Sequence, residues 1–219
     1  MIQVFRRTLV ALAIPCLPLL GGLSGCNYVA SAALLIEGPP KMPAAYKLNA
    51  KRPTVVFVDD RRNRLPRRIM RDMIAENAER TLLAQGVIAP NLLISHRSAV
   101  AVSTGESFDK PLSIIEIGQA VGAEVIVYVT VDEFTLSPDG TSFIPSASMR
   151  VKVLDTVTGE RLWPVEDLGQ PITTRMFQQQ GTVPDRATRR IAEEQLAAYA
   201  GVGLAQVFFE HEVSKSHLR

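Results

Sequence analysis

Two apolar runs rich in β-branched residues limit the folds that this chain can adopt. Residues 54–58 read Thr-Val-Val-Phe-Val, and residues 124–131 read Glu-Val-Ile-Val-Tyr-Val-Thr-Val. Runs with so little polar alternation are typical of strands that are covered on both faces. The sequence therefore predicts a sheet whose strongest strands lie beneath helices.

Helical periodicity and turn signals place further elements around these strands. Apolar residues recur at three- and four-residue spacing over residues 69–82, and Gly86 follows as a helix-stopping residue. Residues 113–116 match a capping box that opens a short helix. Residues 149–153 alternate between apolar and basic side chains, which predicts a strand with one face toward solvent.

A last helical pattern runs from Pro184 to Glu212 and carries two internal glycines. Gly201 and Gly203 each cost a helix roughly 1 kcal/mol relative to alanine. We therefore expect close contacts between this helix and the sheet, or a kink.

The predicted order of elements is β-α-β-α-β-β-β-α, an α/β (α+β) fold with a mixed sheet of about five strands. Residues 91–95 are the second strand, residues 96–102 fit either a helix or a strand, and residues 166–183 read as a long polar loop. We expect one domain over residues 53–212, followed by a tail at residues 213–219.

The segment before Cys26 has the three-part build of an export signal. Arg6 and Arg7 supply its positive start, and no acidic residue occurs before Cys26. Its apolar stretch at residues 8–20 is too short to cross a hydrocarbon core of ~30 Å as a helix. An uncleaved signal anchor is the alternative, and the small residues at 21–25 argue against it.

This segment ends in Leu23-Ser24-Gly25-Cys26, which resembles the lipobox of bacterial lipoproteins. The resemblance implies cleavage before Cys26 and attachment of a diacylglyceryl group to its thiol, with palmitate among the acyl chains. Residues 1–25 are then the signal peptide, and residues 26–52 are the lipidated N-terminus and a flexible tether. Cys16 is the competing cysteine, but the Ile14-Pro15 pair before it is not a small-residue site.

The resemblance places the mature protein on a membrane, anchored by lipid and facing the periplasm. Asn27 follows the cysteine, in place of the aspartate that retains some lipoproteins in the inner membrane. We therefore expect the outer membrane.

Cleavage changes both the charge and the cysteine content. The loss of Arg6 and Arg7 lowers Lys+Arg from 24 to 22, which equals the 22 Asp+Glu. General nucleic-acid binders are clearly basic, so no nucleic-acid partner is expected. Cys26 is then the only cysteine, which excludes an intramolecular disulfide and a cysteine-based metal site.

Residues 53–165 carry a second resemblance. A βα unit is followed by Ile-Gly-Gln-Ala-Val-Gly-Ala-Glu-Val-Ile-Val at residues 117–127 and by Leu-Asp-Thr-Val-Thr-Gly-Glu at residues 154–160. This is similar to the domain shared by the CsgG-like curli-secretion lipoprotein, the amino-terminal part of TolB and lipoprotein activators of penicillin-binding proteins. The resemblance implies binding and assembly, with no catalytic residues. We expect the partner to be an envelope protein or an anionic envelope component.

The densest charge feature of the mature chain is a cluster of six arginines after the first strand. We call Arg61, Arg62, Arg64, Arg67, Arg68 and Arg71 the arginine cluster. Cations at the start of a helix oppose its dipole, which suggests a use or a compensating charge. The cluster is a candidate partner-binding surface for phosphate headgroups, lipopolysaccharide or an acidic protein. The alternative is a solvated loop paired with Asp59, Asp60 and Asp72.

Asp59 and Asp60 are the starting point for an enzyme hypothesis. Ligands often bind beyond the carboxyl ends of strands, and two carboxylates could hold a divalent cation. Neighbouring strand residues point to opposite faces, so only a bend would let both converge. His96, His211 and His217 show no metal-ligand spacing, and no nucleophile elbow or phosphate-binding glycine loop is present. We therefore predict a non-enzyme without catalytic residues, metal or cofactor.

Two other functions remain as alternatives. A metal-dependent envelope hydrolase would use the two aspartates. A subunit of an oligomeric outer-membrane secretion complex would need membrane-crossing strands of about 9–11 alternating residues. Residues 98–110 and 166–183 are the places for such strands, and neither alternates. The pattern leaves the oligomeric state and the identity of the partner open.

Overall fold

In the computed structural model of this protein, the described residues are 40–105, 111–139, 141–165, 168–176 and 185–212. The helices are α1 (Ile69–Ala84), α2 (His96–Thr104), α3 (Ile114–Ala120) and α4 (Arg186–Gln206). The strands are β1 (Lys41–Met42), β2 (Thr54–Asp59), β3 (Leu93–Ile94), β4 (Val125–Thr135), β5 (Ser146–Asp155), β6 (Arg161–Trp163), β7 (Gln170–Arg175) and β8 (His211–Glu212).

The main sheet is mixed. Its order is β3-β2-β4-β5-β6, and β7 pairs with a different part of β5 from β6. β2 is parallel to β3 and β4, whereas β5 is antiparallel to β4, β6 and β7. The predicted α/β class is confirmed, with six strands in this sheet. β1 and β8 form a separate antiparallel pair.

Helices cover both faces of the sheet around β2 and β4. Val127 and Val129 pack in the core beneath α1 and α4, and Ile126 packs on the other face with α2 and α3. All three are fully buried, and every residue of β2 is buried. The lack of polar alternation in these strands therefore reflects a sheet that is covered on both sides.

The two glycines of α4 make close contacts of different kinds. A Cβ at Gly203 would lie 2.7 Å from Thr174 Oγ1 of β7, which is the helix–sheet contact that the sequence predicted. A Cβ at Gly201 would instead clash with the backbone carbonyl of Ile74 in α1. Gly201 therefore lets two helices approach each other closely.

Part of the segment assigned to a flexible tether packs against the domain. The Ala45 N–H donates to the Val207 carbonyl over 2.8 Å, Leu48 is buried, and Tyr46 stacks on Trp163 with 5.6 Å between ring centroids. The tether hypothesis is therefore wrong from Pro40 onward, because apolar side chains there find partners that are distant in sequence. Residues 26–39 lie outside the described residues.

Three other expectations change. Residues 170–175, placed in a polar loop, form β7, because Ile172, Thr173 and Thr174 favour extended backbone. Residues 96–102, which fitted a helix or a strand, lie in α2. The last helix ends at Gln206, and β8 occupies the end of its predicted range.

Within the ranges given above, no helix has the length and apolar character needed to span a bilayer.

Candidate binding site at the carboxyl end of β2

Asp59 closes β2 and is buried in a network of hydrogen bonds. Its Oδ2 accepts a hydrogen bond of 2.8 Å from the Tyr128 hydroxyl and lies 3.2 Å from Arg61 Nε. Its Oδ1 accepts the Arg61 backbone N–H over 3.1 Å. The Asp59 carboxylate is thus bound by Tyr128 of the neighbouring strand β4 and by Arg61 in the loop that follows β2.

Asp60 organises the loop between β2 and α1. Its Oδ1 accepts the N–H of Arg64 over 2.7 Å, and its Oδ2 accepts the N–H of Leu65 over 3.1 Å. Asn63 takes a left-handed backbone conformation at φ 51°, which asparagine tolerates better than most residues. The loop is therefore held in one shape by a single carboxylate.

The two carboxylates have separate structural tasks. Among the described residues, no group of three or more His, Cys, Asp or Glu side chains could hold a metal ion. The metal-dependent hydrolase therefore stays an untested alternative.

Tyr128 carries a perturbed hydroxyl. Burial raises its pKa well above the ordinary value, and the hydrogen bond to Asp59 raises it further. Its ring also stacks on Phe57 with 6.2 Å between centroids. Tyr128 therefore acts as a fixed hydrogen-bond donor to Asp59 rather than as an acid.

The structure divides the arginine cluster into paired and unpaired members. Arg67 forms ion pairs with Glu193 and Glu194 of α4, each at 3.2 Å. The Glu194 pKa is lowered by Arg190 first and by Arg67 second. Arg61 pairs with Asp59, as already described. Arg67 therefore ties the loop to α4, a role that the sequence analysis did not predict.

Arg62, Arg64 and Arg68 are the unpaired members. All three are exposed, and none forms an ion pair with another described residue. Asp59 thus compensates one arginine, whereas Asp60 is used by backbone N–H groups, and the partner-binding role of the cluster stays a prediction.

Arg71 is the remaining member and is half-buried on α1. Its Nε is fully buried, and no hydrogen-bond acceptor for it occurs in the described part of the chain. The Asp72 Oδ1 lies 3.8 Å away, which is too far for a hydrogen bond. An unmade hydrogen bond on a buried charged group is unusual and calls for an explanation.

A cavity of about 230 Å³ opens at this end of β2. It is lined by Phe57, Asp59, Asp60, Arg61, Asn63, Arg68, Arg71, Ser103 and Thr104. Ser103 and Thr104 were not predicted as site residues, and they lie at the end of α2, on the opposite face of the sheet from α1. No local signal connects them with the arginines, because the strand order brings them together.

A larger groove of about 540 Å³ lies between β7 and α4. Its wall includes Met42, Ile172, Tyr199 and Val202, with few ionisable groups. We place the candidate site in the smaller cavity, because charged groups converge there.

The two described histidines lie in separate parts of the fold. His96 is buried, and its Nδ1 lies 2.9 Å from Glu79 Oε2, so this pair joins α2 to α1. His211 lies in β8, where its Nδ1 is 3.2 Å from the Phe209 carbonyl. His217 and Cys26 lie outside the described residues, so the lipid attachment site stays a prediction.

No protein-family model matches this chain, and no curated protein matches it. Solved structures do match. A PelC dodecamer from Paraburkholderia phytofirmans has 13% identity and a TM-score of 0.38, covering 76% of this chain and 95% of that chain.

A lipoprotein from Neisseria meningitidis has 13% identity and a TM-score of 0.39, covering 63% and 90% of the two chains. The C-terminal domain of LpoB from Salmonella enterica has 19% identity and a TM-score of 0.37, covering 60% and 86%. Lipoproteins are thus among the solved chains to which this chain is similar. TM-scores of 0.37 to 0.39 assign no function to it, and membership in the CsgG-like group stays a prediction.

Proposed function

We propose that this protein is a cell-envelope lipoprotein, anchored by lipid on Cys26, whose folded domain binds an envelope partner without catalysing a reaction. It faces the periplasm from the outer membrane. The observation that carries the proposal is the ordered loop after β2, which presents Arg62 and Arg64 to solvent without an ion-pair partner among the described residues.

The loop is held in place by hydrogen bonds and ion pairs. Asp60 holds its backbone, and Arg67 ties it to α4 through Glu193 and Glu194. A surface that is ordered before binding loses less conformational entropy when the partner arrives. Guanidinium groups suit carboxylates, so an acidic patch on an envelope protein fits this loop.

The chemistry around the loop favours binding over catalysis. Asp59 and Asp60 both accept hydrogen bonds that hold the fold, and Tyr128 is kept protonated by burial. The described parts of the two stretches considered for a channel lie in α2 and β7, which pack within the domain. This supports a binding module over a channel subunit.

Crosslinking in intact cells tests the proposal. Replacing Arg62 and Arg64 with glutamine should abolish crosslinking to the partner and leave thermal stability unchanged, since neither side chain supports the fold. In the wild type, capture should weaken as salt rises, because exposed charges are screened beyond ~8 Å at physiological ionic strength.

A matched control removes the same charge elsewhere. Arg80 and Arg97 are exposed arginines near the far end of α1 and the start of α2, and both lie near Glu76. Their double glutamine variant should crosslink as the wild type does. Equal capture by the Arg62/Arg64 variant and the wild type would refute a binding role for the loop.

A further inference from the structure

We propose that the cavity at the carboxyl end of β2 binds a phosphate group, carried by a small phosphate ester or by a phospholipid headgroup. This ligand goes beyond the protein partner proposed above. It engages Arg68 and Arg71, which line the cavity, whereas Arg62 and Arg64 do not.

The cavity lies at a point in the sheet where the connecting helices pack on opposite faces. β2 is parallel to both of its neighbours, β3 and β4. α1 follows β2 on one face, while α2 and α3 precede β4 on the other face. Open α/β sheets bind ligands in the crevice at such a point. Arg71 of α1 and Thr104 of α2 form walls of this crevice from opposite faces.

Two guanidinium groups at the cavity have N–H donors that are not used within the described residues. The Nε of Arg71 is buried without an acceptor among the described residues, and Arg68 is exposed without an ion pair to any of them. Arginine offers a planar fork of N–H donors that matches the oxygens of a phosphate. A phosphate held between the guanidinium groups of Arg68 and Arg71, which both line the cavity, would accept hydrogen bonds from both.

The carboxylates on the wall offset only part of this positive charge. Asp59 is paired with Arg61 and accepts from Tyr128, and Asp60 accepts two backbone N–H groups. Three guanidinium groups therefore face two carboxylates whose oxygens are already engaged.

The hydrogen-bond acceptors in the wall of the cavity favour an anion that carries a proton. Ser103 and Thr104 line the cavity, and their hydroxyl groups donate to backbone carbonyls of α2, which leaves their oxygens as acceptors. Together with the remaining lone pairs on the Asp59 and Asp60 oxygens, they can accept a hydrogen bond from a P–OH group, which a fully deprotonated anion lacks. A hydrogen phosphate or a singly protonated phosphate ester fits this set of groups, and sulfate does not.

Titration of the full chain in a neutral detergent tests the inference. Phosphorus NMR should show saturable binding of inorganic phosphate at concentrations up to ~10 mM, well above the dissociation constant of even a weak site. Equimolar sulfate should not displace it. Displacement by sulfate, or no saturable binding, would overturn the proposal.

Variants locate the site. Arg68→Gln and Arg71→Gln should each weaken phosphate binding about tenfold or more, which corresponds to the loss of one charged hydrogen bond. Arg62→Gln is the matched control and should bind as the wild type does. If Arg71→Gln fails to fold, Arg68→Gln decides, because its side chain is exposed. Unchanged affinity in Arg68→Gln would overturn the inference.

Two further titrants identify the source of the phosphate. Glycerol 3-phosphate represents a free ester, and phosphatidic acid in mixed micelles represents a headgroup, with phosphatidylcholine micelles as control. Tighter binding of either one supports the site and names its source. Loss of phosphate binding in Arg68→Gln with intact partner crosslinking would separate this site from the protein-binding loop.

Discussion

Tyr128 donates its hydroxyl hydrogen to Asp59 across two parallel strands, over 2.8 Å. The bond joins the middle of β4 to the end of β2, where the loop with the arginine cluster begins. Asp59 in turn pairs with Arg61. The geometry of the candidate site therefore depends on the register between the two central strands.

Tyr128→Phe should lower the free energy of unfolding by about 2 kcal/mol at neutral pH, because a buried carboxylate loses a donor. Chemical denaturation measures the loss. Tyr199→Phe is the control, since that side chain is 58% exposed, and it should change little. Equal stability of the two variants would contradict a structural role for the bond.

The raised pKa of Tyr128 predicts a stability change at high pH. The folded state favours the protonated phenol, so this contribution is fully present below pH ~10 and is lost as the pH rises toward the folded pKa. The wild type should therefore lose stability more steeply above pH ~10 than Tyr128→Phe does. Denaturation series at several alkaline pH values would show parallel losses if the hydroxyl were solvated.

Arg52 joins three parts of the chain and should control stability in acid. It lies 2.7 Å from Asp155 and 2.9 Å from Glu124, and it holds the Asp155 pKa at about 2. Stability from this depressed pKa is present above the ordinary value near 4 and is lost as the pH falls from there toward 2. Arg52→Gln should cost about 2 kcal/mol at neutral pH and flatten the dependence between those values.

Circular dichroism during acid titration checks this prediction. Arg80→Gln is the matched control, because Arg80 pairs with the exposed Glu76 at 3.1 Å and such pairs contribute little. An unchanged acid transition in Arg52→Gln would mean that the ion pair does not couple to folding.

Gly201→Ala should destabilise the protein, although alanine favours helices by roughly 1 kcal/mol over glycine. The added Cβ would clash with the Ile74 carbonyl at the crossing of α1 and α4, and such overpacking costs about 1–3 kcal/mol. Thermal melting measures the sign of the change. A higher melting temperature would show that the two helices can separate without loss.

Cys26→Ser should leave an uncleaved or mislocalised precursor, whereas Cys16→Ser should behave as the wild type does. Acyl chains contribute ~0.8 kcal/mol per buried methylene, so two or three chains hold the protein firmly in a membrane. Fractionation and intact-mass measurement check both variants. An unmodified Cys26 in the membrane fraction would contradict the proposed anchor.

Elements with a strong local pattern could be read from the sequence. The apolar run at residues 54–58 forms β2, and the periodic run at residues 69–82 lies in α1. Ser113 and Glu116 form both hydrogen bonds of the predicted capping box. These features depend on residues a few positions apart, whose backbone preferences and burial patterns are present in the chain itself.

Only the tertiary structure decided what the charged residues do. Arg67 finds Glu193 and Glu194 on the last helix, and Arg71 lines one cavity with Thr104 from the opposite face of the sheet. Such partners are far apart in sequence. They are brought together by strand order, strand register and helix crossings, which depend on the packing of the whole domain rather than on any local pattern.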